Sequence, residues 1–71
     1  MTIVRFDSKA LYQAMDAQRV RKAMTWKQVA LEIGVSEATI TRTKNGGRME
    51  VDGMLSMVHW LGVPVETFVK K

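Results

Sequence analysis

The stretch VALEIGVSEATITRTKNG, Val29 to Gly46, decides how this chain folds. Apolar residues recur at helical spacing as far as Ile33, Gly34 interrupts them, and Ser36 opens a second run, SEATITRTKN, that the Gly46-Gly47 pair stops. Glycine ends a helix because it accepts a positive φ, and a serine hydroxyl starts one by accepting from an orphan backbone N–H. Only a tight turn is left between the two helices, so they cross steeply with their axes close together. Such a crossing needs a small side chain, which Ala30 supplies, and Ile40 fills the angle beside Val29, Ile33 and Val35. At about 100° per residue, an inward Ile40 turns Ala38, Arg42 and Asn45 to the opposite side, with Thr39 and Thr41 flanking them. That outward face has no large apolar residue. It suits close approach to another molecule and hydrogen bonding with it.

Working outward, the spacing predicts a first helix from Asp7 or Ser8 to about Lys22, with Leu11, Met15 and Ala14 facing inward. Thr25 opens the next: TWKQ is a capping box, whose hydroxyl and amide satisfy backbone donors reciprocally. A fourth helix runs from about Val51 to Leu61 and stops at Gly62, with Val51, Met54, Leu55, Val58 and Leu61 as its core arc. A short fifth, VETFV, follows Pro64. No repeat, linker or low-complexity segment interrupts this order. The fold class is therefore all-α and compact, with residues 1–7 as an N-terminal extension and residues 8–71 as one domain.

Composition narrows the chemistry. A chain of 71 residues buries only about 60% of the surface it exposes when unfolded, so its core must be simple. Without cysteine there is no disulfide, thiolate nucleophile or cysteine-bound zinc, and apolar packing must hold the fold. The segment MTIVRFDSK carries charges where a signal peptide needs an apolar run, and MLSMVHWLGVPV is broken by Ser56 and His59 and falls short of the ~20 residues of a membrane span. A soluble, cytoplasmic, unprocessed and complete protein is expected. The net charge is +4, and it is concentrated: Arg19, Arg21, Lys22, Lys27, Arg42, Lys44 and Arg48 face only Glu32 and Glu37 in the central segment, whereas the flanks together are slightly acidic. A positive centre is the footprint of a polyanionic partner. His59 has no acid or cysteine at ligand spacing, no Gly-Lys-Ser/Thr follows Gly46-Gly47, and no paired carboxylates stand in one predicted cleft. No enzyme, metal or cofactor is expected.

Thr25 to Asn45, with Ala30, Gly34 and Ile40 at their spacing, resembles the helix-turn-helix of the phage-repressor and Cro-like (XRE) family of DNA-binding proteins. The similarity continues through KNGGRMEVDGMLSMVHWLGVPVETFV and covers roughly residues 11 to 69. It implies a compact five-helix, lambda-repressor-like domain whose third helix lies in the DNA major groove, often as a dimer on a two-fold symmetric operator. It also implies sequence-specific binding of double-stranded DNA by a small transcriptional regulator. The alternative is a protein-interaction module or antitoxin component of the same fold, with a protein partner.

Carried over by position, base reading falls on Glu37, Ala38, Thr39, Thr41 and Arg42, and phosphate contact on Trp26, Lys27, Ser36, Lys44, Asn45 and Arg48. Glu37 has two roles open to it, reaching a cytosine amino group or complementing the positive end of the helix dipole. Three departures stand out. Trp26 replaces a phosphate-touching glutamine; its indole N–H can donate one bond, but its place beside Ala30 and Ile33 favours burial. Arg19 and Lys44 replace an internal arginine–glutamate pair and would repel unless phosphate or another acid lies between them. Met49 replaces a proline before the fourth helix. Trp60 lies off the expected core arc and is the candidate dimer contact, either meeting its twin or packing under Ile3, Val4 and Phe6.

Overall fold

The computed structural model describes residues 5–47 and 49–70. Four α-helices carry the architecture: α1 (Ser8–Arg21), α2 (Trp26–Ile33), α3 (Glu37–Lys44) and α4 (Val51–Leu61). Two features depart from an all-helical expectation. The segment after Pro64 forms a single 3-10 turn, Val65–Phe68, in place of a fifth α-helix, and the chain then extends as β2 (Val69–Lys70) to pair antiparallel with β1 (Arg5–Phe6). Four residues after a proline are too few to repay helix nucleation, and extended pairing satisfies the backbone instead. Phe6 packs on Phe68 with ring centroids 6.0 Å apart, so the small sheet closes the end of the core.

Local chemistry sets each helix boundary. The Asp7 carboxylate caps α1 by accepting from Ala10 N–H at 3.1 Å. Thr25 and Gln28 form the capping box of α2, with Gln28 N–H on the Thr25 hydroxyl and Thr25 N–H on the Gln28 side-chain oxygen. Gly34 ends α2 at φ +91°; an L side chain pays about 1–2 kcal/mol for that region. Ser36 caps α3 through Thr39 N–H. At the far end of α3, Gly47 N–H bonds Arg42 C=O and Gly46 N–H bonds Thr43 C=O, the paired closure of a Schellman motif. The end of α1 is closed in the same way by Met24 N–H on Arg19 C=O and Ala23 N–H on Val20 C=O, but there the left-handed residue is Ala23, at φ 54°.

Two clusters make the core. Leu11 and Met15 of α1 meet Met57, Val58 and Phe68, while Val29, Ala30 and Ile40 fill the α2–α3 angle with Ile33 and Val35 packed on them. The expected arc of α4 is rotated. Met57 and Val58 are buried with Met54 and Leu61 beside them, whereas Val51 and Leu55 are 64% and 47% exposed. In α3, Thr43 is fully buried next to Ile40, its hydroxyl donating to Thr39 C=O at 2.9 Å and contacting Met57 Sδ at 3.7 Å. A hydroxyl satisfied by its own helix can be buried without the usual penalty. No helix among the described residues is long and apolar enough to cross a membrane.

Candidate nucleic-acid interface

The α2–α3 angle holds α3 so that one side of it remains open. Glu37, Ala38, Thr41 and Arg42 are exposed, and Thr39 is half-buried. Hydroxyl chemistry on this face is partly committed. Ser36 Oγ and Thr39 Oγ1 share a 2.9 Å hydrogen bond, and the Thr41 hydroxyl donates to Glu37 C=O at 3.1 Å. Each hydroxyl oxygen keeps acceptor capacity, so Thr41 meets an incoming donor better than an incoming acceptor. Arg42 is free to donate: among the described residues no carboxylate stands within ion-pair distance of it, nor of Lys27 or Lys44. Lys27 sits exposed in the first turn of α2, Lys44 and Asn45 at the end of α3, and Ser36 at its start. Arg48 lies outside the described residues.

Beside α3 runs an open groove of about 530 Å³, lined by Val35, Thr39, Arg42, Met49, Glu50 and Asp52 among others. At Gly53 α4 approaches the first turn of α3, where a Cβ would make an ordinary 3.7 Å contact with Thr39 Cγ2. Arg42 shares this groove with the acidic residues Glu50 and Asp52. A phosphate drawn to Arg42 would meet these acids as well, whereas a base edge carrying both donors and acceptors would not be repelled.

Two of the departures noted in the sequence, Arg19 and Trp26, have partners within the chain. The Arg19 guanidinium bonds Asp16 Oδ1 at 2.8 and 3.1 Å, donates to Met24 C=O at 3.0 Å and lies 5.0 Å from the Trp26 ring centroid. Asp16 is thus the acid that compensates it, one helical turn away where i,i+3 side chains meet. Trp26 itself is half-buried and stacks on Tyr12 with centroids 5.0 Å apart and an interplanar angle of 19°. That placement makes it a packing residue between α1 and α2.

Trp60 is covered from within the chain. Its Nε1–H donates to Glu32 at 3.2 Å, Lys22 Nζ lies 5.3 Å from its ring centroid, and its carbonyl accepts from Gln18. With Met57 and Val58 as the buried pair, Trp60 packs half-buried against the core. Of the apolar extension that offers it cover, Phe6 packs on Phe68, while Ile3 and Val4 lie outside the described residues. His59 is exposed on α4, and no three His, Asp or Glu side chains converge among the described residues.

One residue at the edge of the interface escaped the sequence reading. Lys9, in the first turn of α1, is exposed and lays its stem over Gly46, where an added Cβ would come within 3.0 Å of Lys9 Cε. No local pattern marks a lysine of α1 as the neighbour of the loop after α3; only the packing of α1 on α3 reveals it. Compared with known proteins, the chain matches no family model, no curated protein and no solved structure.

Proposed function

We propose that this chain binds double-stranded DNA sequence-specifically, as a small transcriptional regulator in which α2, its turn and α3 act as a helix-turn-helix and α3 enters the major groove. The observation that carries the reading is the exposed face of α3. It offers Glu37, Ala38, Thr41 and Arg42 with no bulky apolar side chain among them, and unpaired Lys27 and Lys44 stand to either side. Arg42 then makes paired hydrogen bonds to O6 and N7 of a guanine, and Glu37 accepts from a cytosine amino group. Lys27, Lys44, Ser36 and Asn45 hold the phosphates on either side. Two copies with their third helices about 34 Å apart would match successive major grooves on one DNA face. Selecting duplexes from a random library at fixed salt tests the reading. Enrichment of one motif is expected, and absence of binding even at low salt overturns it.

A protein-interaction module is the second reading, and one observation favours it. Leu31 of α2 is 75% exposed, and Val51 and Leu55 of α4 stand exposed one turn apart. These residues are the ones a protein partner would cover. Sedimentation of the chain with and without duplex separates self-association from DNA binding.

A further inference from the structure

The slightly acidic flanks of the sequence are not acidic where the fold puts them. Arg5 and Lys70 are direct partners across the β1–β2 ladder, so their side chains leave the same face of the sheet, where like charges opposite each other oppose pairing. One carboxylate relieves them: Asp7 Oδ2 lies 3.2 Å from Lys70 Nζ. Arg5 has no carboxylate at ion-pair distance among the described residues. Phe6 and Ser8 then border a small cavity with Gly46 and Gly47, and Lys9 lies across Gly46. A basic margin therefore runs from the loop after α3 through Lys9 to Arg5, with Asp7 inside it compensating Lys70. Of the acids of the flanks, Asp7 pairs with Lys70 and Asp16 with Arg19, while Glu50, Asp52 and Glu66 stand at the start of α4 and in the 3-10 turn.

The geometry points to this margin as a second phosphate-binding surface, continuous with the α3 face, that grips the duplex backbone outside the bases α3 reads; it rests on the DNA reading above. Charge complementarity and continuity select the occupant. The Lys9 stem lies against a left-handed glycine, Gly46 at φ +76°, which places this cation beside the loop after α3. A cation at the carbonyl end of α3 would also stabilise that helix. Such a purely structural role changes stability and leaves the salt dependence of binding alone.

The test uses the full chain and a duplex carrying its selected motif, titrated at several salt concentrations. Lys9→Met keeps the stem over Gly46 and removes the charge. It should make the log-log salt slope shallower by about 0.9, and the Arg5→Gln/Lys9→Met double variant by about 1.8. Trimming the duplex outside the motif should abolish these losses and preserve the loss caused by Lys44→Ala. Unchanged slopes in both variants, with a shallower slope in Lys44→Ala, overturn the second surface and leave the α3 reading standing. A lowered urea midpoint with an unchanged slope also overturns it. Wild type that binds no duplex at low salt overturns both.

Discussion

Arg19→Met separates a structural arginine from a DNA-gripping one. The substitution keeps the aliphatic stem against Trp26 and deletes a guanidinium that makes three interactions at once. The bond to Met24 C=O, at 3.0 Å, anchors the residue just before the α2 cap; a charged hydrogen bond of this kind contributes about 1.5–3 kcal/mol, the lower end applying where water reaches. The Asp16 pair joins side chains that are 26% and 43% exposed, which limits it to about 0.2–1 kcal/mol. Stacking on Trp26 adds about 0.5–1 kcal/mol. Because one group serves all three partners the values overlap, and a loss of about 2 kcal/mol is expected. In a domain whose whole stability is on the order of 4–10 kcal/mol, that is a drop in melting temperature of roughly 8–15 °C. Urea unfolding followed by tryptophan fluorescence measures it, with Asp16→Asn as the control that removes only the pair and costs under about 1 kcal/mol. A variant within about 0.5 kcal/mol of wild type whose DNA salt slope is shallower by about 0.9 would refute the reasoning and return Arg19 to the phosphates.

Four further outcomes are expected. Ala23→Gly should raise stability by about 0.5–1 kcal/mol in the same unfolding assay, since it relieves a left-handed alanine at φ 54° at some cost in unfolded-chain entropy. At Thr43, Ser should cost about 1 kcal/mol for the lost buried methyl, while Val should stay within about 1 kcal/mol of wild type because Thr39 C=O keeps its helical partner; a Val variant worse than Ser would show that the hydroxyl is the anchor. The Asp7 carboxyl is held below its ordinary value by the Ala10 N–H, with Lys70 and Lys9 assisting. Its contribution is therefore present above the ordinary aspartate range and fades as pH falls through the lowered value, a slope that Asp7→Asn should flatten in acid titrations of stability. On specific and scrambled duplexes, Arg42→Ala should cost about 1–3 kcal/mol on the best site and relax one base pair per half-site, whereas Lys44→Ala should weaken all duplexes alike.

Helix ends were legible because each is written in a few adjacent residues: Thr25 with Gln28, Gly34 with Ser36, and Gly46 with Gly47. The α2–α3 core was legible for a related reason, since one small residue, one glycine and one aliphatic at fixed offsets leave a single way to fill the angle. The inward face of α4 was not. VDGMLSMVHWL carries apolar residues around most of its circumference, so spacing admits both the expected arc of Val51, Met54, Leu55, Val58 and Leu61 and the observed one, which keeps Met54, Val58 and Leu61 but takes Met57 in place of Val51 and Leu55. Leu11 and Met15 of α1 choose between them, and that choice is tertiary. Thr43 stands three residues after Ile40 and so lies on the inward side by spacing, but its polarity hid a burial that its own helix makes affordable.

Charge was the least legible property of all, because a linear sum treats every base as free. Folding spends Arg19 on Asp16 and Met24 and sets Lys22 over Trp60, which takes two members of the basic centre into the packing of α1 against its neighbours. It returns others from the flank: Lys9 to the loop after α3, and Arg5 and Lys70 to one face of the terminal ladder. Of the central segment's other bases, Arg21, Lys27, Arg42 and Lys44 stay exposed. The α3 face is of mixed charge, Arg42 sharing a groove with Glu50 and Asp52, and Lys27 and Lys44 at its margin have no carboxylate within ion-pair distance among the described residues. Acids beside Arg42 raise the cost of holding a phosphate there, and bare lysines at the margin lower it. In the DNA reading this division of charge, more than the total, is what lets α3 discriminate among bases while the margin binds backbone of any sequence.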